Sequence, residues 1–518
     1  MSTLTLGIIV IIYIFILAWL GYLGYKQTKS SSDYLLGDRN INPFIVALAY
    51  GTTFISTSAI VGFGGVAATF GMGIQWLCAL NMFMGVIIAF LVFGGRTRKL
   101  GAKHDARTFP QLMGLHYGSP LIKKLCAAII FIGMPIYAAV VMKGGAVFVE
   151  RVFDLDMNLS LFIVTIIVAI YVITGGIKGV LYTDALQGII MFVSMLFILM
   201  WFFHVMDINF VEANKQLGEI SHLVPERFKE LGHQGWTSMP VTGSPQWYTL
   251  VTSLILGVGL GCLAQPQLVV RFMMVKSNKQ LNQGILIGCI FIFVTVGSIY
   301  HVGALSNLFF LKTEGVVASE AVKDMDRIIP LFIDRAMPGW FGAIFMLSML
   351  SASMSTLSAQ YHTMGAAFGA DMFPRLGRSK NANSTMAVRF GVLISILVSY
   401  VICYVLSDSI IARGTALFMG VCAATFLPAY FCSLYWKRVT RQAALASICV
   451  GVTSSLFAML FLHRAEAAPI GLCRALFGQD VLIDTYPWFS IDPLLFALPL
   501  STITIIAVTL MTKQAKTV

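Results

Sequence analysis

The sequence predicts an all-α membrane protein of about thirteen transmembrane helices, and three observations lead there. Hydrophobic residues make up 58% of the 518 positions and charged residues only 11%, with a mean hydropathy of +0.84, far from the composition of a water-soluble domain. The apolar residues gather into runs of about 20 or more, the length a helix needs to cross hydrocarbon roughly 30 Å thick. Lys and Arg concentrate in alternate connections between those runs, the pattern of loops that return to the cytoplasm.

The runs lie at approximately 4 to 25, 42 to 71, 73 to 95, 121 to 149, 157 to 175, 180 to 205, 245 to 270, 283 to 310, 337 to 370, 385 to 406, 410 to 435, 441 to 462 and 492 to 511. The first lacks a basic n-region before it and a small-residue cleavage site after it, so it reads as a retained helix. About two thirds of the 35 Lys and Arg fall on one side if the N-terminus lies outside and the C-terminus in the cytoplasm. Among them are Lys26, Lys29, Arg39, Arg96, Arg98, Lys99, Arg271, Arg375, Arg378, Lys380, Lys437, Arg438 and Lys516. Acidic residues crowd the opposite loops, at 207 to 230, 312 to 334 and 466 to 492. The net charge of +12 thus reports orientation in an inner or plasma membrane, and the scattered basic residues form no nucleic-acid stripe. The nine cysteines sit mainly within apolar runs without a CxxC pair, as small core fillers do.

Two helices are interrupted near their middles. The second carries Gly51-Thr52-Thr53-Phe54-Ile55-Ser56-Thr57-Ser58 ahead of Gly62, Gly64 and Gly65; the seventh carries Gly257, Gly259 and Gly261 ahead of Gln265-Pro266-Gln267. They open two consecutive five-helix blocks, 42 to 205 and 245 to 435, preceded by a leading helix at 4 to 25 and followed by trailing helices over 441 to 511. Breaks at matching places in two halves are the sequence mark of an inverted-repeat transporter with its site at the midplane. Taken singly, glycines that let helices pack closely and hydroxyls that bond their own backbone explain each position as well.

The ninth helix holds Ser351-Ala352-Ser353-Met354-Ser355-Thr356-Leu357-Ser358-Ala359-Gln360 inside an apolar span. A dehydrated sodium ion takes about five oxygens, and hydroxyls and carbonyls supply them without adding charge to the bilayer. Adjacent Ser355 and Thr356 offer two hydroxyls, and the broken second helix offers freed carbonyls.

Several motifs together resemble the sodium/solute symporter family of bacterial proline, pantothenate, monocarboxylate and sialic acid carriers. They are Asp33-Tyr34-Leu35-Leu36-Gly37-Asp38-Arg39, Thr174-Gly175-Gly176-Ile177-Lys178 with Tyr182-Thr183-Asp184-Ala185-Leu186-Gln187, Gln265-Pro266-Gln267 with Arg271-Phe272-Met273, Met354-Ser355-Thr356, and Leu434-Tyr435-Trp436-Lys437-Arg438. The resemblance runs from about residue 5 to residue 445. It implies a LeuT-like 5+5 inverted repeat with one extra N-terminal and two extra C-terminal helices, working by alternating access. It also implies a sodium site on the carbonyls of Thr52, Ile55 and Ala352 and the hydroxyls of Ser355 and Thr356, with Asp184 nearby; a structural ion pair is the other reading of Asp184. One sodium per solute is expected.

In such a fold the solute lies beside the two breaks, where Ser56, Thr57, Ser58, Tyr137, Cys262, Gln265 and Gln267 are the candidates, and half-helix dipoles favour a carboxylate. The proline carriers of the resembling family have Trp and Tyr where this chain has Val258 and Cys262, which argues against proline, and the stretch Phe54-Ile55-Ser56-Thr57-Ser58 followed by Gly62 to Gly65 is more similar to the pantothenate and monocarboxylate carriers. Lys143, an ammonium within a span, either pairs with the solute carboxylate or another acid, or snorkels to the headgroups seven residues before Glu150. Proton coupling through Asp184 or His362 is a competing expectation, and a membrane sensor a more distant one. No HExxH, GxSxG or paired carboxylates suggest enzyme chemistry.

Overall fold

A computed structural model describes residues 3–27, 31–37, 41–373, 384–406 and 411–513, and is helical throughout its membrane-length elements. The leading helix α1 (Thr3–Gln27) is followed by α2a (Pro43–Phe54) and α2b (Ser58–Phe70), α3 (Met72–Lys103), α4 (Pro120–Phe153), α5 (Met157–Ile170) and α6 (Gly176–Met206). The second block holds α7 (Pro245–Ala264) with its continuation Pro266–Phe272, α8 (Asn278–Glu314), α9 (Phe341–Met372), α10 (Ser384–Cys403) and α11 (Ile411–Tyr435); α12 (Arg441–Leu462) and α13 (Leu494–Met511) trail it. Local chemistry starts several of these. Asn42 accepts from the Phe44 N–H with Pro43 at the first helical turn, Ser119 accepts from Ile122 with Pro120 behind it, and Asp156 accepts from Asn158 and Leu159.

Among the described residues, eleven helices are long and apolar enough to cross a membrane, and the bent pair α2a and α2b makes twelve. The expected span at 157 to 175 is helical up to a break at Gly176, and its apolar stretch Met157–Ile170 is shorter than a full span, so the count of thirteen is not reached among the described residues. The joint is Gly176, at φ 58° and ψ −172°, a conformation open to glycine almost alone, so the backbone turns there while the helix continues on either side.

The two interruptions take different forms. In α2, Ile55 is extended (φ −92°, ψ 105°) and the limbs diverge by 55°. The Ser56 side chain accepts from the Ser58 N–H at 3.2 Å, restarting the second limb. In α7 a short 3-10 turn over Cys262–Ala264 ends at extended Gln265 (φ −67°, ψ 120°), and Pro266, which has no N–H to leave unpaired, begins the next helix. Close packing of α6 on α2a depends on Gly188, where a Cβ would lie 2.7 Å from Thr52 Cγ2. The basic residues Lys29, Arg39, Arg375, Arg378, Lys380 and Lys516, and Asp38 of the first motif, lie outside the described residues.

Candidate sodium and solute site

The break in α2 frees carbonyls, and α9 brings hydroxyls to them. Ser355 Oγ donates to the Thr52 carbonyl at 3.1 Å and lies 3.3 Å from the Ala352 carbonyl. Thr356 Oγ1 lies 3.4 Å from the carbonyls of both Thr52 and Thr53. All of these residues are buried. Four of the five expected sodium-site residues, Thr52, Ala352, Ser355 and Thr356, therefore converge, while Ile55 contributes the extended residue just beyond them. The Thr53 carbonyl joins the group without having been expected. At hydrogen-bond length from one another, these oxygens form a compact neutral cluster of the kind a small hard cation enters by replacing hydroxyl contacts with its own.

Asp184 stands one step away. Arg271 Nη2 donates to Asp184 Oδ2 and to Thr53 Oγ1, each at 2.9 Å, and the two charged side chains are 0% and 1% exposed. The position of Arg271 differs from the expectation of a cytoplasmic connection: it lies within the bundle, on the segment that follows the α7 break. A buried carboxylate requires such a partner. The available signal was that Asp184 lay inside an apolar run and needed a cation. Asp184 Oδ1 has no hydrogen-bond partner among the described residues.

The solute candidates divide into two groups. Ser56, Ser58, Tyr137, Cys262, Gln265 and Gln267 are at most 3% exposed. The Tyr137 ring stacks on Phe418 of α11 with centroids 5.4 Å apart, and its hydroxyl lies beside Ser56. Cys262 Sγ donates to the Gly259 carbonyl at 3.0 Å and faces Gly85 of α3. Gln267 Nε2 donates to Gln265 Oε1, which leaves Gln265 Nε2 as an unpaired donor and Gln267 Oε1 as an unpaired acceptor among the described residues. Ser58 Oγ is likewise buried without a partner there. Three open polar atoms at the two breaks are what a polar ligand would satisfy.

Thr57 and Lys143 belong to the second group, engaged in packing. Thr57 Oγ1 donates to the Val141 carbonyl of α4 at 2.9 Å, and Lys143 Nζ donates to the Leu406 carbonyl at 3.0 Å, beyond the end of α10. His362 is committed as well: its Nε2 and the Tyr34 carbonyl are 3.0 Å apart.

The sodium:solute symporter family model matches residues 34–451. The chain belongs to this family. The symporter is 29% identical over 453 residues to the osmoregulated proline transporter OpuE of Bacillus subtilis, across 86% of this chain and 87% of that one. It is 27% identical over 485 residues to sodium/proline symporter 2 of Staphylococcus saprophyticus, across 92% and 89%. Its fold is similar to that of a Na+-coupled sialic acid symporter solved in a substrate-bound, outward-open state, with a TM-score of 0.75 over 99% of each chain at 15% identity. The LeuT-like all-helical architecture is thereby established, and the symporter is a multi-pass membrane protein that couples a solute to sodium.

Proposed function

We propose that this symporter takes up a small carboxylate-bearing solute with one sodium ion by alternating access. Sodium sits among the carbonyls of Thr52, Ile55 and Ala352 and the hydroxyls of Ser355 and Thr356. The observation that carries this reading is the convergence of the α9 hydroxyls on the carbonyls freed by the α2 break, at 3.1 to 3.4 Å. Every donor in the set is a neutral oxygen, which suits a monovalent hard cation in the bilayer interior. Asp184, bound to Arg271, holds Thr53 in place instead of ligating the ion directly.

The solute lies between the two breaks, in contact with Ser56, Ser58, Tyr137, Cys262, Gln265 and Gln267. Its carboxylate meets the positive end of the limb that restarts at Ser58 and the open Gln265 amide donor. The relatives named for proline transport make proline the first solute to test, and the open acceptor Gln267 Oε1 supports it, since a secondary ammonium would satisfy that atom. The apolar pair Val258 and Cys262 supports the alternative, a monocarboxylate or pantothenate that has no ammonium to place. The burial of the site residues supports a closed state, so entry requires the helices around the two breaks to move.

The deciding experiment replaces Ser355 and Thr356 by Ala together. The sodium concentration for half-maximal uptake rises at least about tenfold, equivalent to about 1.4 kcal/mol. An unchanged sodium dependence in a folded double variant overturns the site. A thermal-shift panel in sodium against potassium, with proline, pantothenate, short monocarboxylates and sugars, identifies the solute. A response to sugars and to no carboxylate removes the solute class.

A further inference from the structure

The leading helix α1 stands outside both five-helix blocks, and most of its surface faces outward: Ile11, Phe15 and Trp19 are 67%, 72% and 56% exposed. Tyr13 and Leu17 face inward instead, and Tyr13 brings a hydroxyl with it. It is 3% exposed, and its hydroxyl is a polar atom in an otherwise apolar stretch. That hydroxyl lies 2.8 Å from Ser351 Oγ of α9 and accepts from Gln187 Nε2 of α6 at 3.3 Å. Both partners are themselves fully buried.

Each partner sits one turn from a group already placed in or beside the cation cluster. Ser351 precedes Ser355 by four residues and so shares its helix face, and it is adjacent to Ala352, whose carbonyl Ser355 approaches. Gln187 follows Asp184 by three residues on α6, and the next residue, Gly188, is where α6 comes against Thr52. A single hydroxyl on a rigid ring therefore ties the helix that supplies the cation's hydroxyls to the helix that supplies its nearest carboxylate.

We infer that Tyr13 is a positioning residue for the sodium site, holding α9 and α6 in register through Ser351 and Gln187, so that the leading helix takes part in coupling. This rests on the sodium reading proposed above. Without the hydroxyl, Gln187 Nε2 loses its acceptor and Ser351 its cross-helix partner, both where water does not replace them. The two helices then hold the oxygen cluster less sharply, and sodium is the ligand that registers the loss.

Tyr13→Phe keeps the ring and deletes only the oxygen. In the full-length symporter reconstituted into vesicles, the sodium concentration for half-maximal uptake rises about threefold to tenfold. The maximal rate and the solute KM, both measured at saturating sodium, stay within about twofold. Ser351→Ala removes the same bond from the other side and produces the same shift, and the two changes together add little beyond either one. A variant whose maximal rate falls with the amount of folded protein while sodium dependence stays put shows packing alone, and overturns the inference. Ser355→Ala with Thr356→Ala, run in parallel, separates the two readings. If that pair moves the sodium dependence and Tyr13→Phe and Ser351→Ala do not, the sodium site stands and the role of Tyr13 falls. If none of them moves it, the sodium site itself is wrong and Tyr13 has nothing to position.

Discussion

Removing the Asp184 charge tests how the bundle is held around its breaks. In Asp184→Asn, Arg271 keeps its charge while 1% exposed, and its carboxylate partner at 2.9 Å becomes a neutral amide. Breaking a buried ion pair from one side destabilises by about 3 to 5 kcal/mol, because the surviving charge is left in a medium that solvates it poorly. At about 1.4 kcal/mol per decade, that is a shift of roughly two to three and a half decades in the folded to unfolded ratio. Arg271→Gln from the other side leaves Asp184 stranded with a comparable loss. The double variant Asp184→Asn with Arg271→Gln buries two neutral amides that can bond one another, so it recovers much of the loss, with a coupling of about 1 to 3 kcal/mol. The assay is thermal unfolding of purified protein in detergent, followed by tryptophan fluorescence, for wild type, both single variants and the double. A double variant no more stable than the worse single would refute the claim that these charges act as a pair. A second readout bears on function. Arg271 also holds Thr53 Oγ1 at 2.9 Å, and the Thr53 carbonyl faces Thr356, so the double variant binds sodium more weakly than wild type even where its stability is restored.

Three further outcomes are expected. Lys143→Gln changes uptake of a carboxylate solute and of its neutral amide alike, because Nζ is held by the Leu406 carbonyl; a loss confined to the carboxylate would place the ammonium at the solute. With the N-terminus outside, a cysteine at Lys215 in a background freed of native thiols reacts with an impermeant maleimide added outside, whereas one at Lys437 reacts only after the membrane is opened; the reverse pattern inverts the topology. At the end of α12, burial lowers the pKa of His463, but the hydrogen bond and charge of Glu466 outweigh it and leave the net value above 6.5, with Asp492 adding to the rise and Arg413 opposing it. The stability this gives is complete below 6.5 and is lost as pH rises through the raised value, so the thermal midpoint of wild type falls as pH is raised above 6.5. His463→Gln lacks that decline, and an identical slope in both proteins refutes the assignment.

The legible parts of the site were those with a local cause. The breaks at Ile55 and Gln265 follow from short stretches of Gly, Pro and hydroxyl residues, and the Ser355-Thr356 pair is visible as adjacent hydroxyls in an apolar span. Arg271 was misplaced because the α7 segment resumes for only seven residues, Pro266–Phe272, after its break, and a basic residue near the end of an apolar run looks the same whether it faces the cytoplasm or turns into the bundle.

The sequence by itself determined that this is a bundle of membrane-spanning helices, where most of them run and which two break. Those features arise from the solvent, since lipid selects apolar runs of sufficient length and leaves every interruption conspicuous. Tertiary structure decided which groups meet. Ser355 reaches Thr52 across 303 residues, Arg271 reaches Asp184 across 87, Tyr13 reaches Ser351 across 338, and Lys143 turns to Leu406 instead of the breaks. Such pairings depend on the rotation and depth of each helix against its neighbours, which the close approach at Gly188 and the bend at Gly176 set and which no local stretch of sequence records.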